Sequence, residues 1–150
     1  MIPLAHRYRP LRILCVEEDA VQRKLLEACL EVLEAEALLA PRAANALWLF
    51  RRHPVDMVLM DLDWHCAEEL AAFEEMQAGH RGRHVPILAV TDNDCDWTEE
   101  EYRQAGFAAM YRKPIEPHRL FTKIDDVLRE QHRPPLLVSP AMAVDAAHFA

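Results

Sequence analysis

Glycine is nearly absent from this chain: only Gly79, Gly82 and Gly106 occur among 150 residues, and no G-x-G-x-x-G or G-x-x-x-x-G-K-[ST] can be assembled from them. That excludes the usual dinucleotide and P-loop phosphate cradles, in which the backbone must approach the phosphate closely. Cysteine is sparse as well. Cys15, Cys29, Cys66 and Cys95 form no C-x-x-C, which argues against a zinc site or a disulfide framework and for a reducing compartment, the cytoplasm. Cys15 and Cys29 fall in apolar runs and read as small core residues. No apolar run approaches the roughly 20 residues of a membrane span. The N-terminal MIPLAHRYRPLRILCV has no apolar stretch ending in a small-residue cleavage site, so we expect neither a secretory signal nor a membrane segment. Positive charge is short too: 17 Lys and Arg face 25 Asp and Glu, a net charge of −8. Such a chain is a poor general binder of DNA or anionic membrane and a better partner for cations or basic protein surfaces.

What is present is a run of short apolar segments alternating with helical patterns. Hydrophobic residues make up 51% of the chain, enough for a buried core at a length that suits one domain. Residues 1–10 read as a lead-in, 11–131 as the folded unit and 132–150 as a loosely held tail. Strand-length runs lie at Leu11–Val16, Ala37–Ala40, Val55–Met60, Val85–Val90 and Phe107–Tyr111. Between them, helical spacing covers Ala20–Glu34, with Val21, Leu25, Ala28, Cys29, Val32 and Leu33 as the apolar stripe. It continues at Ala43–Arg52, where Trp48 is assigned to the core, then at Cys66–Ala78 and Asp96–Ala105. A last amphipathic helix carries Leu120, Phe121, Ile124, Val127 and Leu128. The order βαβαβαβαβα, with continuous rather than alternating apolar strands, predicts an α/β fold: a doubly wound, five-stranded parallel sheet with helices on both faces. Its ligand site belongs outside the C-terminal ends of the strands.

Chemistry-bearing residues gather at those ends. The first strand runs into Glu17, Glu18 and Asp19, the third ends at Asp61, the fourth at Thr91 and the fifth at Lys113. Several carboxylates around one point repel one another and ask for a divalent cation. Oxygen-only ligands favour Mg²⁺ over zinc. A lysine and a threonine hydroxyl suit phosphoryl oxygens, and a central aspartate can act as nucleophile. The combination suggests metal-assisted phosphoryl transfer onto Asp61, driven by positioning and charge neutralisation.

At this point the chain resembles a known family, the receiver domains of bacterial two-component response regulators, including those of hybrid histidine kinases. The resemblance spans about residues 11–131 and rests on ILCVEED, DMVLMDLDW, VPILAVT and GFAAMYRKPIEP, in order and at matching separations. It implies the (βα)₅ flavodoxin-like fold. It implies Asp61 as phosphoacceptor, and Mg²⁺ held by Glu17, Glu18, Asp61 and the backbone carbonyl of Asp63. Thr91 and Lys113 would meet the phosphoryl group, with a cis peptide before Pro114. The donor implied is a histidine kinase or histidine phosphotransfer protein, and the readout is contact with a downstream protein partner, with no DNA-binding domain. The chain departs from the family pattern at Glu18, where aspartate is usual, and at His65, Glu69, Asp92 and Met110.

Two other functions compete. A receiver-shaped module could bind partners without phosphorylation, a reading motivated by those same departures. VLMDLDW also resembles the D-x-D of haloacid-dehalogenase phosphatases, but Trp64-His65 replaces the Gly-Thr that usually follows, and an acidic strand end precedes a motif that normally opens the chain. Blander roles weigh against single residues: Glu17, Glu18 and Asp19 could merely complement a helix dipole, Thr91 could be a cap, Lys113 a solvated lysine, and Asp56 a surface residue where its strand begins.

Overall fold

The computed structural model describes residues 10–62, 67–79, 85–92 and 94–131. The lead-in up to residue 9, Asp63, Trp64, His65, Cys66 and the tail 132–150 lie outside the described residues. Ten elements alternate: β1 (Arg12–Val16), α1 (Ala20–Val32), β2 (Glu36–Ala40), α2 (Ala43–Arg52), β3 (Met57–Asp61), α3 (Ala67–Ala78), β4 (Ile87–Thr91), α4 (Glu99–Ala105), β5 (Ala109–Arg112) and α5 (Pro117–Glu130). The strands form one parallel sheet in the order β2-β1-β3-β4-β5. The winding direction reverses between β1 and β3, which opens a crevice at their C-terminal ends.

The apolar runs become strands because both of their faces are covered. Ile13, Cys15, Met57, Leu59, Leu88 and Val90 pack under α1 and α5, against Leu26, Leu30, Leu120 and Ile124. Their sequence neighbours Leu14, Val16, Val58, Met60, Ile87 and Ala89 face the other way, toward Phe50 of α2, Phe73 of α3 and Tyr102 of α4. This period-2 split within a continuous apolar run is the mark of a sheet buried on both sides. Each fully buried large side chain contributes about 1.5–3 kcal/mol. Cys15 and Cys29 are buried core residues, as expected.

The helix ends are marked by ordinary caps. Asp19 accepts from the Gln22 amide at 2.9 Å and starts α1. The Thr98 hydroxyl accepts from the Glu101 amide and donates to the Glu101 carboxylate, capping the start of α4. Gly106 closes α4 at φ 113°, a left-handed turn where an added Cβ would meet Gln77 and Phe73.

Two assignments made from hydrophobicity are corrected. Trp48 is not core: it is 53% exposed, because α2 turns Ala43, Ala46 and Phe50 inward, and the indole instead carries the Arg52 guanidinium 4.2 Å from its centroid. On α1 the buried residues are Leu26, Cys29, Leu30 and Leu33, while Val21, Leu25, Ala28 and Val32 face outward. Cys29 and Leu33 of the expected stripe are buried, but packing against β1 and α5 pairs them with Leu26 and Leu30 and leaves the other four residues of that stripe outside.

Candidate functional site

The register determines which strand-end residues meet. Val16 lies opposite Met60 and Asp61 opposite Val90, so Glu17 and Asp61 emerge side by side at the crevice. Lys113 follows β5, with its amide donating to the Thr91 carbonyl at 2.8 Å, and the Lys113–Pro114 peptide is cis. The Lys113 ammonium reaches back across the sheet edge to Asp61 Oδ2 at 2.8 Å and to Glu17 Oε1 at 3.5 Å. Asp92 Oδ1 stands 3.9 Å from the same nitrogen. Together these groups line an open cleft of about 660 Å³ whose walls are Val16, Glu17, Glu18, Asp19, Ala20, Gln22, Asp61, Glu69, Asp92 and Lys113.

The electrostatics follow from burial. The Glu17 side chain is only 2% exposed, whereas Asp61 is 18% and Lys113 19% exposed. Burial pushes the Glu17 carboxyl up to about 8, helped by its hydrogen bond to Asp61 and the Asp61 charge, with Lys113 pulling the other way. Burial works to lower Lys113, but the hydrogen bond to Asp61 and the charges of Asp61, Glu17 and Asp92 outweigh it, and its pKa is raised. One ammonium thus serves three carboxylates, an arrangement with spare negative charge for a cation.

The other expected site residues divide. Glu18 lines the cleft but is exposed, and its backbone carbonyl, like that of Glu17, accepts from the Arg23 guanidinium at 2.8–2.9 Å. Thr91 stands at the same edge but is buried, its hydroxyl donating to the Tyr111 carbonyl at 3.5 Å, and it is not among the described residues that line the cleft. Asp63 lies outside the described residues. Asp19 acts as the α1 cap, and Asp56 accepts from the Arg12 amide at 2.8 Å near the start of β3. No group of three His, Cys, Asp or Glu side chains stands ready to grip a metal ion among the described residues. The donors present, Glu17 and Asp61 with Glu18 at the rim, are all carboxyl oxygens, which fits a hard cation that keeps waters of its own.

Sequence reasoning missed Arg23 and Gln22. Their only signal is position: a helix's first turns, following an acidic strand end, aim long side chains back at that end. It also missed the role of Arg112, whose Nη1 and Nη2 donate to the carbonyls of Cys95 and Trp97 at 2.8 and 2.9 Å and fasten the loop before α4.

The chain is 29% identical over 119 residues to the polar-differentiation response regulator DivK of Brucella anthropi, covering 79% of this chain and 97% of that one. Among solved structures it is similar to the receiver domain of the sensor histidine kinase PA1611 from Pseudomonas aeruginosa, which carries a magnesium ion in its active-site cleft. The TM-score is 0.69 at 29% identity, over 83% of this chain and 99% of that one. The chemotaxis response regulator CheY4 of Vibrio cholerae shares the fold with a TM-score of 0.72 at 18% identity, over 80% of this chain and all of that one. The family model for the response regulator receiver domain matches residues 13–125, and the chain, with its five-stranded parallel sheet and acidic cleft, belongs to that family of two-component signalling domains.

Proposed function

We propose that Asp61 accepts a phosphoryl group from the phosphohistidine of a histidine kinase or histidine phosphotransfer protein, in a Mg²⁺-dependent step, and that a downstream protein partner reads the result. The observation that carries this reading is the Lys113 ammonium held 2.8 Å from Asp61 Oδ2, with Glu17 beside both, at the switch point of the sheet. Glu17, Glu18, Asp61 and the Asp63 carbonyl are the residues that would hold Mg²⁺, whose part is to neutralise phosphoryl oxygens. An Asp61 carboxylate oxygen forms the new P–O bond as the donor's P–N bond breaks, and the imidazole leaves with the bonding pair. Lys113 exchanges its ion pair with Asp61 for the phosphoryl oxygens, and the Thr91 hydroxyl turns from the Tyr111 carbonyl toward them. Activity is limited to self-phosphorylation and self-dephosphorylation. We assign the receiver unit to residues 11–131 and its work to the cytoplasm. No helix among the described residues is long and apolar enough to cross a membrane.

The outward stripe of α1 supports a protein as the donor. Val21, Leu25 and Val32 are 73%, 37% and 41% exposed, and the stripe begins beside Ala20 and Gln22 on the cleft wall. Apolar surface at the mouth of a polar cleft suits a partner that must seat itself before transfer.

A second reading, a partner-binding module that is never phosphorylated, draws on the exposed Glu18 and on Asp92 and Glu69 in the cleft wall. Intact mass after incubation with phosphoramidate separates the two. The phosphoacceptor reading expects a Mg²⁺-dependent adduct that Asp61→Ala abolishes. No adduct in the folded protein would leave the module reading.

A further inference from the structure

Two carboxylates in the cleft have no task in the phosphoacceptor scheme. Asp92 stands directly after β4, and its Oδ1 lies 3.9 Å from Lys113 Nζ, the ammonium that Asp61 and Glu17 already share. Its side chain is 50% exposed, so it sits at the mouth rather than the floor. Glu69, in the first turn of α3, also lines the cleft. With Glu17, Glu18, Asp19 and Asp61, the described lining holds six carboxylic groups against one lysine. Arg23 does not offset them there: its guanidinium is bonded to the backbone carbonyls of Glu17 and Glu18, and it is not part of the lining. A divalent cation cancels two of these charges and leaves the mouth negative.

A phosphoryl donor must pass this mouth and then take Lys113 from its carboxylates. The penalty for doing so grows with the donor's own negative charge. We propose that Asp92, assisted by Glu69, makes the site select its donor by charge. It admits N-phosphoryl donors that carry a compensating positive charge, such as a protonated phosphoimidazole presented by a protein, and resists dianionic acyl phosphates. The proposal rests on Asp61 being the phosphoacceptor. It names the substrate class of that site and assigns Asp92 as a specificity-determining residue.

The test compares phosphoramidate, which carries one net negative charge near neutral pH, with acetyl phosphate, which carries two. Rates of adduct formation are measured by intact mass in saturating Mg²⁺ for the wild type, Asp92→Asn, Glu69→Gln and the double variant, with Asp61→Ala as the blank. Asparagine keeps the size of aspartate, so a change reports charge and not access. One unit charge at this range is worth about tenfold in rate, so the acetyl phosphate to phosphoramidate rate ratio should rise about tenfold in Asp92→Asn and less in Glu69→Gln. Salt at ~1 M, where screening reaches ~3 Å, should raise the wild-type ratio and raise that of the double variant less, and the wild-type effect needs no variant to fold well. Adducts that form with the same ratio in wild type and Asp92→Asn, and with no salt effect on the wild type, would overturn the charge selection and leave the phosphoacceptor reading intact. No adduct from either donor in any folded variant would overturn both.

Discussion

Replacing Glu17 by glutamine keeps the shape of a residue that is 3% exposed and deletes its charge. The ordinary value of this carboxyl is 4.5, and burial, reinforced by Asp61, pushes it up to about 8. The unfolded chain releases the proton near 4.5 while the native state keeps it, so native stability falls as pH rises between the two values. The favourable contribution is whole below about 4.5 and gone above about 8. The full gap corresponds to ~5 kcal/mol between the charged and neutral forms. One proton on either carboxylate relieves the Glu17–Asp61 repulsion, so ~2 kcal/mol is assigned to Glu17 itself. Urea unfolding in metal-free buffer across this pH interval should find Glu17→Gln equal to the wild type at the acid end. At the alkaline end the variant should be more stable by ~2 kcal/mol, with a flat pH profile. Added Mg²⁺ should recover the lost stability in the wild type and stabilise the variant, which keeps Glu18 and Asp61, by less. If Glu17→Gln is the less stable protein above pH 8 as well as below 4.5, then Lys113 fully compensates the buried charge and the reasoning fails.

The same coupling predicts proton release: Mg²⁺ added to weakly buffered, metal-free wild type near neutral pH should acidify the solution, and Glu17→Gln should not, as a pH-stat would record. Gly106→Ala places a Cβ 2.8 Å from Gln77 Oε1 and 3.1 Å from Phe73 Cζ at φ 113°. It should cost about 1–3 kcal/mol in denaturant unfolding without altering phosphorylation. Tyr111→Phe removes the hydroxyl that donates to the Pro114 carbonyl at 2.9 Å and accepts from the Glu116 amide at 3.0 Å. A loss of about 1–2 kcal/mol is expected from the same measurement.

The sheet was legible because a strand buried on both faces has nowhere to put a polar residue, so ILCV, MVLM and ILAV read as uninterrupted apolar runs. The site was legible for the complementary reason: the runs stop at charged or hydroxyl residues, and a parallel sheet brings all such stops to one edge. The facing of α1 was not. The expected stripe caught the buried Cys29 and Leu33, but Val21, Leu25, Ala28 and Val32 keep helical spacing as well as Leu26 and Leu30 do, and only the packing of the sheet distinguishes them. Trp48 misled because side-chain size suggests burial, whereas the phase of Ala43, Ala46 and Phe50 decides it. Arg23 and Arg112 escaped notice because their partners are backbone carbonyls, which leave no trace in residue spacing.

Lys113 and Arg112 are consecutive, yet one grips the cleft and the other grips the loop before α4. That loop is therefore fastened to β5 as well as to the end of the strand it leaves, where the Cys95 amide donates to the Asp92 carbonyl at 3.2 Å. A single peptide unit separates the lysine in the cleft from the arginine that holds the carbonyls of Cys95 and Trp97. Beyond them the Trp97 ring is 45% exposed and tilted 49° against Tyr102. The indole therefore sits on a loop fastened next door to the cleft lysine, and its fluorescence is the natural signal in which to look for a change in cleft occupancy.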